Sequence, residues 1–250
     1  MMTDTARCAL VLGASGGLGA ALVVEFLADP AITQVIAVSR KGQPLSLSVS
    51  DDVTNKLVWI QTEYDEQSMT TVVDQIEGHA GNIARVCICH GLLHSETIWP
   101  EKRLEDINAD ALHEIFQSNT VVPTLWLKLL FKLLKGEEPC VVATMSARVG
   151  SIGDNRMGGW HSYRASKAAL NMVLQNMAIE YGRRAKNVKL ISFHPGTTDT
   201  GLSQPFQAAV PSGKLFTPAF VATRLSGIMD NAALDGGLSY IDWNGQPIPW

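Results

Sequence analysis

The sequence predicts an α/β fold, a doubly wound parallel sheet flanked by helices. Three observations predict it. Short apolar runs alternate with helical patterns along most of the 250 residues, as expected when helices cross over between parallel strands. The first apolar run leads straight into a glycine-rich turn and an apolar helix, Gly13-Ala14-Ser15-Gly16-Gly17-Leu18-Gly19. The longest helical pattern opens with Tyr163 and Lys167, one helical turn apart, after a glycine-rich loop.

Composition bounds the reading. Apolar residues make up 46% and charged residues 18%, with a net charge of −4. That supports an ample core, and no basic stretch is dense enough to serve as a nucleic-acid footprint. Arg183, Arg184, Lys186 and Lys189 suit the solvated end of a helix, where cations complement the macrodipole. The greasiest stretch, 121–134, is broken by Pro123, Lys128 and Lys132, so no membrane span is expected. Cys8, Cys87, Cys89 and Cys140 lie in strand-like runs without the second pair a metal site needs, and read as buried thiols in a reducing compartment. With no signal-peptide pattern, a cytoplasmic location is expected. No linker or repeat interrupts the chain, so 1–250 is expected as one domain. Nucleotide-binding features fall mainly in 7–120, catalytic and substrate features mainly in 119–250.

In order, 7–12 reads as a buried strand, followed by the glycine turn and a helix to about Ala28, closed by Asp29-Pro30. A strand, a glycine turn and a helix N-terminus form a phosphate site, because the turn brings free N–H groups and positive dipole close to the ligand. The second strand, 34–39, ends at Ser39-Arg40-Lys41. In dinucleotide folds an acid near this point accepts a bond from the ribose 2′-hydroxyl. Here an arginine beside a serine suits a 2′-phosphate instead, which favours NADP(H) over NAD(H). A third strand covers 57–61, an amphipathic helix 65–77, and a fourth strand 84–89, ending at His90-Gly91. A long helix from about Asp110 to Leu134 contains Pro123, which frees a carbonyl near Asn119 and predicts a kink there. The fifth strand, 139–145, delivers Ser146 at its C-terminal end. The Tyr163 helix runs from about 162 to 181. A sixth strand covers 188–193, followed by His194-Pro195-Gly196-Thr197-Thr198-Asp199-Thr200. Residues 203–217 read as a mobile loop with a short helix, 218–230 as a helix and 238–241 as a last strand.

The Tyr163–Lys167 pair lies on one face of its helix. Free tyrosine titrates near pH ~10. A cation about 4 Å away is worth on the order of 4 kcal/mol at an effective dielectric of ~20. The pairing therefore predicts a lowered phenol pKa and a workable general acid or base.

These residues resemble the short-chain dehydrogenases/reductases over nearly the whole chain. Gly13, Gly17 and Gly19 match the family's nucleotide loop. Asn119, Ser146, Tyr163 and Lys167 fall where its catalytic tetrad falls, and Pro195-Gly196 with Thr200 matches its nicotinamide-side motif. The runs 145–151 and 159–167 and the ending Asp242-Trp243-Asn244-Gly245 are similar to the C-factor and sniffer-type carbonyl reductase group. The resemblance implies a Rossmann-type fold. It implies a cofactor held by Gly13, Ser15, Gly17, Leu18, Gly19, Ser39, Arg40, Thr62, His90, Gly91, Tyr163, Lys167, Pro195, Gly196, Thr198 and Thr200. It also implies a homodimer or homotetramer. Two departures touch cofactor anchoring: the family's Asn-Asn-Ala-Gly reads Ile88-Cys89-His90-Gly91, and Thr62 stands where many members have an Asp for the adenine.

In the mechanism the resemblance implies, Tyr163 donates a proton to the nascent alkoxide and Ser146 donates to the carbonyl oxygen. Lys167 tunes the phenol and holds the nicotinamide ribose, Asn119 holds a proton-relay water, and 201–217 forms a lid. Trp160 and Phe206 point to an apolar or aromatic carbonyl. His161 and His194 read as rim and packing residues. Three functions stay open: a carbonyl reductase, an alcohol dehydrogenase using the same site, and a dinucleotide-binding sensor or C-factor-like signalling protein.

Overall fold

The computed structural model describes residues 7–44, 47 and 55–250. Seven strands form one parallel sheet in the order β3-β2-β1-β4-β5-β6-β9. They are β1 (Cys8–Leu12), β2 (Gln34–Ser39), β3 (Leu57–Gln61), β4 (Ile83–Ile88), β5 (Cys140–Met145), β6 (Val188–His194) and β9 (Leu238–Asp242). The chain winds outward from β1 in one direction and from β4 in the other. Neighbours β1 and β4 therefore form the switch point, outside whose C-terminal ends an open α/β sheet binds ligands.

Alternation along the strands sorts the core into two layers. Leu10 and Leu12 of β1 pack on one face with Ile36, Val86, Trp126, Leu130, Leu170 and Leu174. Ala9 and Val11 point to the other face, with Leu22, Phe26, Val35, Val221 and Leu225. Helix α1 (Gly17–Ala28) and α6 (Pro218–Asp230) cover the second layer. The first is covered by α2 (Glu66–Gln75), α4 (Val122–Leu134) and α5 (His161–Arg184), with α3 (Ala109–Phe116) leading into α4. Side-chain caps set several starts: Asp65 accepts from Ser68 N at 3.0 Å, Asn108 from Asp110 N at 2.9 Å, and Thr217 from Phe220 N at 3.2 Å.

The kink expected near Asn119 is a π-helical turn over Gln117–Val121. Pro123 has no N–H to offer the Asn119 carbonyl, and a wider turn absorbs the mismatch. The turn buries Asn119 completely. The segment expected as a mobile loop is more tied down than its composition suggested. Its ends are clamped by a two-stranded parallel sheet, β7 (Thr197–Thr198) with β8 (Leu215–Phe216), and a 3₁₀ helix covers Gln204–Ala209. Periodicity does not reveal strands of two residues. Among the described residues no helix is long and apolar enough to cross a membrane.

One contact fixes α5 against the segment entering β9. A Cβ on Gly182 would lie 2.7 Å from the Gly236 carbonyl oxygen. In an isolated helix Gly→Ala stabilises by about 1 kcal/mol. Here overpacking reverses the sign, and Gly182→Ala is expected to destabilise by roughly 1–3 kcal/mol in urea unfolding with an unchanged m-value. A stabilised variant would mean that this backbone contact yields without cost.

Candidate active site

A cleft of about 1850 Å³ opens at the C-terminal edge of the sheet, lined by Ser15 to Gly19 after β1, Cys89 to Gly91 after β4, Met145 to Ala147 after β5 and His194 to Thr198 after β6. The parallel sheet delivers all four turns to one edge. At the switch point the glycine turn is built from backbone. Gly13 has φ +85° and Gly19 could not carry a side chain, since its Cβ would sit 2.3 Å from the Gly13 oxygen. The start of α1 carries no side-chain cap and no acid, so its N–H groups and dipole face the cleft. Thr200 closes over this turn, its methyl 2.8 Å from where a Gly17 Cβ would be.

Helix α5 supplies Tyr163 and Lys167, both buried, and β5 supplies Ser146, also buried. Gly150 lets the segment after Ser146 lie directly on the Lys167 backbone, where a Cβ would come within 2.9 Å. The Lys167 Nζ donates to the Met145 carbonyl at 2.8 Å and lies 5.8 Å from the Tyr163 ring centroid. The expected lowering of the phenol pKa by this cation is not what the arrangement gives. Burial dominates both groups: it pushes the Tyr163 phenol well above its ordinary value and the Lys167 ammonium down to about 7. Tyr163 is thus held as a phenol, a proton donor at neutral pH.

Asn171 is a site residue that the sequence reading missed. Its Oδ1 accepts from Ser146 Oγ and from Ser192 Oγ, each at 2.7 Å. It stands one turn beyond Lys167 on the Tyr163–Lys167 face, and a buried polar residue at that spacing was the available signal. Glu101 was missed as well. Its buried carboxylate caps α5, accepting from Ser162 N at 3.2 Å and from Ser162 Oγ. No local pattern announces a cap donated from 61 residues away.

Asn119 is brought to the site by the π turn. Its amide pairs with Leu92, accepting from Leu92 N at 2.6 Å and donating to Leu92 O at 2.9 Å, and it donates to Ser166 Oγ at 3.0 Å. It ties the turn after β4 to α5, and Gly91 lies alongside, 3.7 Å from Lys167 Nζ when given a Cβ. Gly196, with φ +71°, packs so tightly under Phe216 that a Cβ would meet the ring at 2.7 Å. Thr198 is buried and lines the cleft with Pro195 and Thr200.

The adenosine-side expectations are met unevenly. Ser39 is fully buried, and its hydroxyl donates to the Lys41 carbonyl, so it shapes the turn instead of facing the cleft. Thr62 also faces away. Its hydroxyl is within bonding distance of Glu63 O and Ser68 O, and it lines a separate shallow groove beside α2, because β3 ends one strand beyond β2. Asp65 is spent on capping α2. Arg40 is exposed, with its guanidinium 5.4 Å from the Tyr64 ring centroid. Tyr64 meets His90 edge to face at 4.3 Å. His90 lines the cleft, is buried, and has an Nε2 without a partner among the described residues. Burial, then the cations Arg40 and Lys167, lowers its pKa to about 3, so it is a neutral imidazole. The glycine cradle, the uncapped α1 and this free buried nitrogen together fit a dinucleotide.

A family model described as short chain dehydrogenase matches residues 7–210. Among curated proteins, the benzil reductase ((S)-benzoin forming) of Bacillus cereus is 22% identical over 92% of this chain and 97% of its own length. The C-signal of Myxococcus xanthus is 31% identical over 44% of this chain and 60% of its own. Among solved structures, NADPH-bound carbonyl reductase from chicken fatty liver superposes with a TM-score of 0.81 at 20% identity, covering 98% of this chain and 99% of that one. The carbonyl reductase Sniffer of D. melanogaster gives 0.82 at 20% identity, covering 98% and 100%. At these identities the structural likeness establishes the Rossmann-type fold.

Removing the distal cap tests how α5 is aimed. Glu101→Ala is expected to cost about 1–2 kcal/mol of stability and to lower turnover, since Ser162 precedes Tyr163. Glu101→Gln, which keeps an acceptor oxygen, should lose less of both. Equal losses in the two variants, measured by urea unfolding and steady-state rates, would count against the capping role.

Proposed function

The chain belongs to the short-chain dehydrogenase family, and on that premise we propose that this oxidoreductase is an NADP(H)-dependent carbonyl reductase acting on small neutral substrates. The observation that carries the proposal is the meeting of Ser146, Tyr163 and Lys167 in one cleft at the sheet's switch point, with the phenol held protonated. When bound, the reduced dinucleotide supplies a hydride. A carbonyl carbon held in the cleft would accept that hydride as its π electron pair moves to oxygen. The oxygen takes the proton of the Tyr163 phenol, leaving an alcohol and a phenolate that solvent reprotonates. Ser146 turns the hydroxyl it donates to Asn171 Oδ1 in the structure toward the substrate oxygen instead. Lys167, in its charged form, offsets the phenolate. Asn119 holds the turn around Gly91 against α5, and the proton relay implied by the resemblance would pass beside it. The glycine turn and the α1 N-terminus would take the dinucleotide phosphates, Thr198 and Thr200 the carboxamide, and His90 the adenosine end. Arg40, exposed just after β2 and flanked in sequence by Ser39 and Lys41 with no acid, supports a 2′-phosphate and so NADP(H).

The relative named C-signal keeps a second reading in view, a dinucleotide-binding signalling protein. The complete Ser146, Tyr163 and Lys167 set supports turnover instead. We also infer a homo-oligomer, as the family resemblance implies, with Met172 and Ile179 exposed on the outer face of α5.

Three outcomes are expected. NADPH oxidation with carbonyl substrates should fall about 10²–10⁴-fold in Tyr163→Phe, and an undiminished rate would remove Tyr163 from the chemistry. Arg40→Ala should weaken NADPH binding by roughly tenfold or more, the scale of a charge-assisted contact, while leaving NADH binding nearly unchanged. Equal effects on both cofactors, measured by calorimetry, would refute the 2′-phosphate contact. The third concerns pH. Lys167 is charged below its lowered pKa of about 7 and neutral above it. Reductive kcat/KM, which reports groups of the free enzyme, should hold steady in acid and decline as pH rises through neutrality. A rate that climbs with pH would give Lys167 the opposite role.

A further inference from the structure

The substrate end of the cleft is walled by aromatic rings that connect the reacting phenol to the mouth. Trp160 meets Tyr163 at 6.2 Å between ring centroids and Phe206 at 5.1 Å. Phe206 meets Trp99 at 6.1 Å and His94 at 5.7 Å. His94 stacks on Trp99 at 5.4 Å with 21° between the planes, and its Nε2 is 3.1 Å from the Gly201 oxygen. Trp99 is 59% exposed although it lines the cleft, so the shelf at the mouth is an aromatic face presented to whatever enters.

Backbone strain points to the same use. Trp160 has φ +51°, and no other non-glycine residue described has a positive φ. A bulky side chain there persists only where the surroundings over-determine it, and such residues gather at functional sites. Gly158 and Gly159, with φ +62° and +65°, lead the chain into this turn, and the Trp160 N–H is held by the Glu101 carbonyl. The strain aims an indole into the cleft beside Tyr163.

The charges around the aromatic shelf are of both signs. The Glu101 carboxylate is spent on Ser162. Asp110 and Glu114 stand on the rim with Lys102 and Lys214, Asp106 is paired with Arg103, and Lys167 is turned to Met145.

We propose that the site selects planar aryl ketones, the ring lying in the box of Trp99, Phe206 and Trp160 with its carbonyl at Ser146 and Tyr163. The proposal rests on the carbonyl reductase reading and narrows it to a substrate class. The reaction balances as above: hydride to the carbonyl carbon, phenol proton to the oxygen, an aryl carbinol and the oxidised dinucleotide as products.

The test compares acetophenone with cyclohexyl methyl ketone, similar in size but puckered and unconjugated. Conjugation makes the aryl carbonyl the less electrophilic of the two, so any preference for it must come from binding. Aromatic pairs add about two- to tenfold each beyond their buried area. The expected result is an aryl preference of roughly tenfold or more in kcat/KM. Trp99→Leu and Phe206→Leu should each shrink that ratio about two- to tenfold, chiefly through KM. A ratio at or below one, or one that neither variant changes, overturns the proposal while leaving the reductase reading intact. If neither ketone is reduced, the reductase reading fails on its own. Calorimetric titration of the NADPH-loaded protein with the two ketones then decides this inference: tighter aryl binding, weakened by Trp99→Leu, upholds it, and equal or weaker aryl binding overturns it.

Discussion

The site depends on the burial of one ammonium. Lys167 lies under Tyr163 with its charge taken up by a single backbone carbonyl, that of Met145 at the end of β5. An ion so placed is costly unless it is held and satisfied, and much of the surrounding structure meets that need. Gly150 lets the segment after Ser146 pass against the lysine's own backbone. The π turn at Asn119 ties Leu92 and Ser166 together alongside it. The same burial holds Tyr163 as a phenol and brings Lys167 to about 7, close to the pH at which a proton must be moved.

The cleft is divided by what lines it. Toward β1 and β4 it is backbone, glycine and an uncapped helix start, a surface suited to phosphate. Toward Phe206 it is aromatic. Ser146 and Tyr163 stand between. The β7–β8 pairing joins the two ends of the segment 199–214, so Phe206 approaches Trp160 from an anchored segment. Thr200, just after β7, lies on Gly17 of the glycine turn.

Much of this was legible in the chain. Strands such as 34–39 and 57–61 and the helix 218–230 follow from apolar runs bounded by turn residues, and the structure places them at those limits. The Tyr163, Lys167 and Ser146 positions follow from spacing and strand ends. What was hidden depended on distance or on competing energies. The Glu101 cap joins residues far apart in sequence, and the Arg40–Tyr64–His90 stack joins the ends of three strands. The sign of the Tyr163 shift could not come from spacing, because desolvation outweighs a nearby charge only where burial is known. Ser39 was placed by its distance from the glycines and Thr62 by its position after the third strand, and neither tells which way a side chain turns.

The most direct measurement of the central claim follows the hydride itself. The protein would be incubated with an aryl methyl ketone and NADPH carrying deuterium at C4, prepared in each stereochemical form, and the alcohol examined by mass spectrometry. The account predicts one deuterium on the carbinol carbon from one of the two forms, with transfer lost in Tyr163→Phe. Tight NADPH binding with no deuterium delivered to any carbonyl by the wild-type protein would contradict it.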